Sequence, residues 1–423
     1  MTLETNRLRT IVLALAMLLT AALLIETAQP AGADAAAKTK SKKKQKKRVK
    51  PKGPKRGPAG LKFYKPPKRL PAAHGKLIWQ RPASRYVSLK GASTTRLVLY
   101  TSKSMANKSV PVSGLVSFPK GKAPRGGWPL VTFAHSTTGI ADKCAPSRDS
   151  ANGVVADGVS YINPVLEGWL KAGYAVARTD FQGLGTPGVH PYLVGKAAGR
   201  DVLDIARAAR QLGPKIKKSY LIAGHSQGGH AALFAAGLAA KWTPEQKLAG
   251  TISYAPGSHL TTMAQFLPTF TTPNSLSGIA AMLLRGVSSV YPSLVPQQLL
   301  NQPGLDLFPK TLSECLGRLS EPDLYGGIAP ADLLRDDADL PELYRVLDEQ
   351  NPAVKTQAPI LLLQGTADTS SFKILTDQLD GELDALGDQV DYKTYQDIDH
   401  WDLVDVAQPD ALAFMQQRLP SGR

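Results

Sequence analysis

The chain shows two kinds of hydrophobic pattern after its first sixty residues. Apolar and polar positions first alternate, which is typical of strands with one solvent-facing side, and predict strands at Lys76–Gln80, Thr95–Tyr100 and Val110–Phe118. From residue 129 the pattern changes to short apolar runs, which are typical of strands buried on both faces. The strands predicted in this part are Pro129–Ala134, Tyr174–Ala177, Ser219–Ala223, Gly250–Ala255, Ala358–Leu363 and Val390–Tyr395.

Segments with helical spacing lie between the later strands, at Arg200–Leu212, Gly228–Ala240 and around Ala411–Leu419. Strands followed by alternating strands and helices predict an α/β fold, with a mostly parallel sheet flanked by helices. Residues 256–345 interrupt the alternation with helical apolar patterns and many prolines. This segment is too long for an ordinary connection, so we expect a cap over one end of the sheet.

The positive charge of the chain is concentrated near its N-terminus. The formal net charge is +17, yet residues 34–70 hold 16 lysines and arginines and one acid, and residues 71–423 net only about +2. Residues 34–60 have almost nothing to bury, which predicts a disordered basic segment. We expect this segment to adhere to an anionic cell-wall or membrane surface, with a solvated spacer as the alternative. Nucleic-acid binding is disfavoured because few aromatic residues interleave with the lysines.

The first 33 residues predict a signal peptide. Arg7 and Arg9 precede the apolar run Ile11–Ile25, which is shorter than the roughly 20 residues of a spanning helix, and Ala31-Gly32-Ala33 fits a cleavage site. An uncleaved signal anchor is the alternative. We therefore expect a secreted protein, associated with the cell wall if the basic segment adheres there. Residues 61–423 would then form the folded domain.

The chain has two cysteines, Cys144 and Cys315. An even number of cysteines in an exported protein predicts a disulfide, and two buried free thiols are the alternative.

A candidate nucleophile lies in Gly224-His-Ser226-Gln-Gly228-Gly229, directly after a predicted strand and before a predicted helix. G-x-S-x-G in this position is the pattern of a nucleophile elbow, in which small residues allow a tight turn to expose the serine hydroxyl. The pattern predicts that Ser226 is a catalytic nucleophile. A plain turn between strand and helix is the alternative.

A serine needs a base, which is usually a histidine oriented by a carboxylate. His400 is the only histidine after the cap, where the chain order serine, acid, histidine places the base. Asp368 follows an apolar strand and is the preferred acid, because a carboxylate at that strand end can reach the crevice that holds the serine. The rivals, by proximity to His400, are Asp397, Asp399 and Asp402.

The oxyanion of an acyl-transfer intermediate needs two N–H donors. One is predicted to be the amide of Gln227. The second is expected from the loop His135–Gly139, with Thr137 preferred and Ser136 as the alternative. The sequence has no Cys/His cluster, no H-E-x-x-H motif and no phosphate-binding glycine loop at a helix start, so we expect no metal and no cofactor.

Several short motifs together resemble one family, the secretory lipases of the α/β-hydrolase superfamily. The matching stretches are Phe63-Tyr64, Pro66-Pro67, Ala134–Asp142, Cys144-Ala-Pro-Ser147, Asp180–Gly185, Gly224–Gly229 and Tyr254-Ala-Pro256. The resemblance implies an exported lipase or esterase with Ser226, Asp368 and His400 as its triad. It also implies a helical lid between the sixth and seventh core strands, and it supports a bridge from Cys144 to Cys315.

The leading hypothesis is a monomeric secreted serine ester hydrolase that acts on carboxylic esters, with acylglycerols as the expected substrates because the cap is apolar. A small-ester or peptide hydrolase with the same triad is one alternative. Another is a protein whose hydrolase domain is vestigial and which acts by surface binding through residues 34–60.

Overall fold

A twisted nine-stranded sheet organises the protein in the computed structural model, which describes residues 54–422. The predicted signal peptide and most of the basic segment lie outside the described residues. The strands are β1 (Leu77–Pro82), β2 (Thr94–Lys103), β3 (Ser109–Phe118), β4 (Trp128–Ala134), β5 (Ala175–Thr179), β6 (Ile216–His225), β7 (Lys247–Tyr254), β8 (Ile360–Gly365) and β9 (Val390–Tyr395).

The strand order is β1-β2-β3-β5-β4-β6-β7-β8-β9. Strands β1, β2, β3 and β5 pair antiparallel, whereas β5, β4, β6, β7, β8 and β9 are mutually parallel. The parallel strands therefore all present their carboxyl ends at one edge, where α/β folds bind ligands.

Thirteen α-helices are present in residues 54–422. They are α1 (Ala156–Ser160), α2 (Asn163–Lys171), α3 (Gly195–Ala209), α4 (Gln227–Trp242), α5 (Leu260–Phe266), α6 (Leu276–Ser288), α7 (Pro296–Leu299), α8 (Gln302–Leu307), α9 (Leu316–Leu319), α10 (Pro341–Asp348), α11 (Lys373–Ala385), α12 (Leu403–Val406) and α13 (Gln408–Arg418). Within this part of the chain no helix is both long and apolar enough to cross a membrane.

Helices cover both faces of the sheet, which explains the continuous apolar strands. On one face α3 and α4 pack their alanines and Val202 against β2, β4 and β6. On the other face α2, α12 and α13 pack Trp169, Leu403 and Phe414 against β4, β6 and β7. All seven residues of β4 are buried as a result. The fold is that of an α/β-hydrolase, as the sequence predicts.

The ordered domain begins earlier than the sequence indicates. The predicted disordered segment ends at residue 60, but residues 54–60 pack against β1, and this boundary is corrected. The Gly57 N–H donates to Gln80 O (3.0 Å), the Gln80 N–H donates to Lys55 O (2.9 Å), and Arg81 donates to Pro58 O (2.7 Å). The backbone of this segment supplies partners to the open edge of β1, which its basic composition does not reveal.

One helix also begins earlier than the periodicity predicts. The apolar spacing indicates Arg200–Leu212, whereas α3 spans Gly195–Ala209. The Gly195 N–H donates to the side chain of Gln350 (3.1 Å), a distant contact that satisfies an amide at the helix start.

The segment between β7 and β8 forms a helical cap with its own apolar core. Helices α5 to α10 and several 3₁₀ turns fill it, and Met282, Leu284, Phe308 and Leu333 are among its buried side chains. Ile140 and Tyr192 from the core domain belong to the same cluster. The cap therefore packs over the loops that follow β4 and β5.

A disulfide joins the cap to the core domain. Cys144 and Cys315 are bonded, with a sequence separation of 171 residues. Gly139 pairs with Cys315, and the Leu316 N–H donates to Thr138 O (3.0 Å). The disulfide thus fixes the cap beside the loop that follows β4.

We predict that replacing both cysteines with serine lowers the free energy of unfolding by about 2–5 kcal/mol, because the bridge closes a long loop. Thermal melting followed by circular dichroism measures the loss. Reduction of the parent protein serves as the control and should produce a matching shift, whereas equal melting of the variant and the oxidised parent would contradict the prediction.

Candidate active site

Ser226 lies on a strained turn between β6, which ends at His225, and α4, which begins at Gln227. Its backbone has φ 59° and ψ −118°, a conformation that costs a non-glycine residue about 1–3 kcal/mol. The Ser226 N–H donates to Tyr254 O (2.9 Å) at the end of β7. This geometry is that of a nucleophile elbow, in the strand and helix context that the sequence predicts.

The glycines of the elbow are required by close backbone packing. A side-chain carbon at Gly224 would lie 2.0 Å from Gly228 O, and one at Gly228 would lie 1.9 Å from Ala134 O. Any larger residue would push α4 away from β4 and β6. Steric constraints therefore explain why glycine occupies both positions of the motif.

Asp368 lies in the loop after β8, and its carboxylate is buried. Its Oδ1 accepts from the N–H groups of Ser370 and Ser371, each at 2.8 Å. Its Oδ2 accepts from Gln364 Nε2 (3.3 Å) and lies 2.7 Å from His400 Nδ1. The surrounding donors stabilise the negative charge and fix the orientation of the carboxylate.

His400 follows β9 and is bonded to Asp368 rather than to the rival acids. Asp399 accepts from the N–H groups of Trp401 and Asp402, and Asp397 accepts from Gln396. With Nδ1–H donating to Asp368, Nε2 of His400 is left as the basic nitrogen. The ring centroid of His400 lies 4.5 Å from that of His225, the residue before Ser226.

His225 positions the loop that carries His400. Its Nε2–H donates to His400 O (2.9 Å), and its Nδ1 accepts from the Tyr161 hydroxyl (2.7 Å). Burial is the main cause that holds the pKa of His225 well below its ordinary value, and the nearby His400 lowers this pKa further. His225 is therefore neutral and serves as a fixed hydrogen-bond partner.

The two preferred oxyanion donors and Ser226 line one pocket, and Ser136 is not among its lining residues. Gln227 is the first residue of α4, so its N–H has no partner within the helix. Thr137 is half-buried, and its hydroxyl bonds to Tyr192 Oη at 2.7 Å. Thr137 and Ser226 thus line the same pocket, and the choice between Thr137 and Ser136 as oxyanion donor stays a prediction.

Two histidines after β4 and β5 support this region. Burial lowers the pKa of His135, whose Nδ1 donates to Ser136 O (2.6 Å). His190 donates from Nδ1 to Gln182 O (2.9 Å) and accepts from Gln227 Nε2 (2.9 Å). Burial lowers the pKa of His190 to about 3, so it is neutral and can accept this bond. His190 and Gln227 are 37 residues apart in the chain, and no pattern in the sequence predicts the bond between them.

The pocket at Ser226 extends under the cap and has a volume of about 880 Å³, including space open to solvent. Its walls are mainly apolar. The apolar lining comes from α5, α6 and the start of α11, with Leu260, Met263, Leu276, Ile279, Leu283 and Phe372. The sequence indicates an apolar cap but does not identify these residues as the pocket wall.

The sheet, the strained serine and the paired aspartate and histidine define the protein as an α/β-hydrolase. The sequence model of the secretory lipase family matches residues 158–422, well over half of the chain. The chain therefore belongs to the secretory lipase family.

Similar proteins agree with this assignment. The secreted triacylglycerol lipase LIP4 of Malassezia furfur is 28% identical over 195 residues, which span 43% of this chain and only 33% of that protein. Candida antarctica lipase A in its closed state superposes with a TM-score of 0.70 and 20% identity, covering 84% of this chain and 85% of that structure. The rice cell wall degrading esterase LipA of Xanthomonas oryzae superposes with a TM-score of 0.65 and 17% identity, covering 82% and 98%. At these identities the two structures show the fold.

We predict that Gly224→Ala destabilises the protein by about 1–3 kcal/mol or more, because the added methyl group meets the Gly228 carbonyl. Gly381→Ala is the matched control. Gly381 lies inside α11 with nothing within 4 Å of an added carbon, so alanine should raise stability by about 0.5–1 kcal/mol. Denaturant unfolding of both variants measures the difference, and equal changes would refute the steric argument.

Proposed function

We propose that the protein is an exported serine ester hydrolase that cleaves carboxylic esters with apolar acyl chains. The observation that carries the proposal is the bond between His400 and Asp368. His400 packs against His225, the residue before a strained serine that lines an apolar pocket. Family membership supports the same chemistry. The predicted signal peptide and the secreted relative support export.

Acylation begins when Ser226 Oγ attacks the ester carbonyl and His400 Nε2 takes the hydroxyl proton. Asp368 stabilises the resulting imidazolium through Nδ1–H without being protonated itself. The tetrahedral oxyanion accepts from the N–H of Gln227 and from that of Thr137. When the intermediate collapses, the alcohol leaves with the proton held by His400.

Deacylation repeats these steps with water. His400 takes a proton from the water, whose oxygen attacks the acyl carbonyl of the Ser226 ester. The second intermediate expels Ser226, which regains the proton from His400, and the carboxylic acid is released. No cofactor is required in either half of the reaction.

The pocket supports acylglycerol-type substrates over small esters or peptides. The part of the pocket wall that comes from α5 and α6 is formed by aliphatic side chains, and these offer no partner for a charged or peptide group. An apolar chain is stabilised there by about 0.8 kcal/mol per buried methylene.

We predict that Ser226→Ala lowers kcat for p-nitrophenyl esters by roughly 10³–10⁶-fold, because it removes the nucleophile. Asp368→Asn should lower kcat by about 10⁴-fold, since it leaves the imidazole in the wrong tautomer. Asp402→Asn is the control, because Asp402 is close to His400 in the sequence but is not the proposed acid of the triad. This variant should retain activity. Initial rates with folded variants give these ratios, and full turnover by Ser226→Ala would refute the triad.

We also predict that kcat/KM rises with acyl length, by up to about fourfold per methylene, until the pocket is filled. Ala280→Phe should fill part of the pocket and reduce turnover of long esters while sparing the acetate, because Ala280 belongs to the α6 part of the wall and is not one of the proposed catalytic or oxyanion residues. A series from p-nitrophenyl acetate to palmitate tests both expectations. A flat profile in the parent enzyme would contradict the acyl-pocket assignment and leave the triad intact.

A further inference from the structure

The charge of the folded domain is divided sharply along the chain. Between Asp34 and Asp142 the sequence contains no acidic residue, and residues 54–141 hold 16 lysines and arginines. Residues 142–423 hold 23 basic and 31 acidic residues, which gives a net charge of −8. The net charge of +8 for residues 54–423 therefore combines a strongly basic part with an acidic part.

The fold places most of the basic part at one edge of the sheet. Residues 54–141 form the segment along the edge strand β1, the neighbouring strands β2 and β3, and the central strand β4. The opposite edge, β9, lies beside α11, which carries four acids and one lysine. Six exposed residues of the segment that precedes β1 define what we call the basic face, namely Lys55, Arg56, Lys62, Lys65, Lys68 and Arg69.

Few carboxylates approach this end of the sheet. Asp149 lines a groove with Leu61 and Arg81, and Glu167 accepts from the backbone N–H of Lys90 (2.7 Å). Among residues 54–422, no ion pair involves Lys62, Lys65 or Lys68. Their charges are thus available to an external anion.

Two large apolar side chains protrude among these charges. Leu61 is 63% exposed and precedes Lys62, and Tyr86 is 46% exposed and stacks with Arg85. Leu61 borders the same groove as Ser84 and Val87, which flank Tyr86 in the sequence. A soluble polyanion needs only the charges, whereas apolar tips among lysines fit a lipid surface, where they enter the headgroup layer.

We propose that the basic face, together with the exposed side chains of Leu61 and Tyr86, binds the surface of an anionic lipid bilayer. Lysines near such a surface each contribute about fivefold in affinity, and the basic tract at residues 34–53 adjoins this face in the sequence. The acidic remainder of the domain is repelled by the same surface, so the molecule binds with its β1 edge towards the lipid. The proposal is independent of the esterase activity.

Cosedimentation of the chain from residue 34 with vesicles tests the role of charge position. The vesicles contain 30% phosphatidylglycerol in phosphatidylcholine, and pure phosphatidylcholine serves as the neutral reference. The variant K62Q/K65Q/K68Q should bind the anionic vesicles on the order of 10- to 100-fold more weakly. The control K241Q/K247Q/K310Q removes the same charge from exposed sites elsewhere and should change binding by less than about threefold. Equal effects of the two triple variants would overturn the basic face.

A second arm tests whether the partner is a bilayer or a polymeric anion. Leu61→Ser with Tyr86→Ser should weaken vesicle binding severalfold while leaving retention on immobilised polyphosphate unchanged, because only a lipid surface accepts the apolar tips. Vesicle binding equal to that of the parent would overturn the bilayer assignment. Thermal melting of each variant confirms that the domain remains folded.

Discussion

The close approach of two backbones at the start of α4 is the constraint on which the candidate site depends. A carbon added at Gly228 would lie 1.9 Å from Ala134 O at the end of β4, and one added at Gly224 would lie 2.0 Å from Gly228 O. This contact holds the first turn of α4 against the ends of β4 and β6 together. Ser226, the amide of Gln227 and the loop that begins at His135 are therefore positioned by packed backbone, which is stiffer than any arrangement of long side chains.

The histidines around the start of α4 differ in their surroundings and therefore in their roles. The pKa of His225 lies well below its ordinary value, and burial lowers the pKa of His190 to about 3 and that of His230 to about 4. A neutral imidazole offers one donor and one acceptor, so His225 and His190 each link two neighbours in a fixed geometry. His400 differs because a carboxylate faces its Nδ1, which orients the ring and leaves Nε2 for the proposed proton transfer.

Local patterns in the sequence predict the fold class, the strands and the proposed nucleophile, because each depends on neighbours in the chain, whereas Asp368 and His400 are predicted from their order in the chain and from the end of a strand. Apolar runs mark buried strands, and G-x-S-x-G marks a turn whose steric demands lie within five residues. The supporting contacts could not be predicted in this way. His190 meets Gln227, and residues 55–57 pair with β1, through tertiary packing that leaves no periodic signal. The pocket wall was missed for the same reason, since helical spacing in the cap does not reveal which face lies over the serine.

The cap combines a rigid junction with an adaptable wall. Beside the proposed oxyanion loop it is held by the disulfide and by the bond from Leu316 N–H to Thr138 O. The pocket wall comes from α5 and α6, which precede Cys315 in the chain and contact the pocket through aliphatic side chains. Apolar side-chain packing tolerates changes of shape more readily than a backbone-bonded junction does. Under the proposed function, acyl specificity can therefore change through substitutions in α5 and α6 while the proposed oxyanion loop stays in place, so that the fold would separate the choice of substrate from the chemistry.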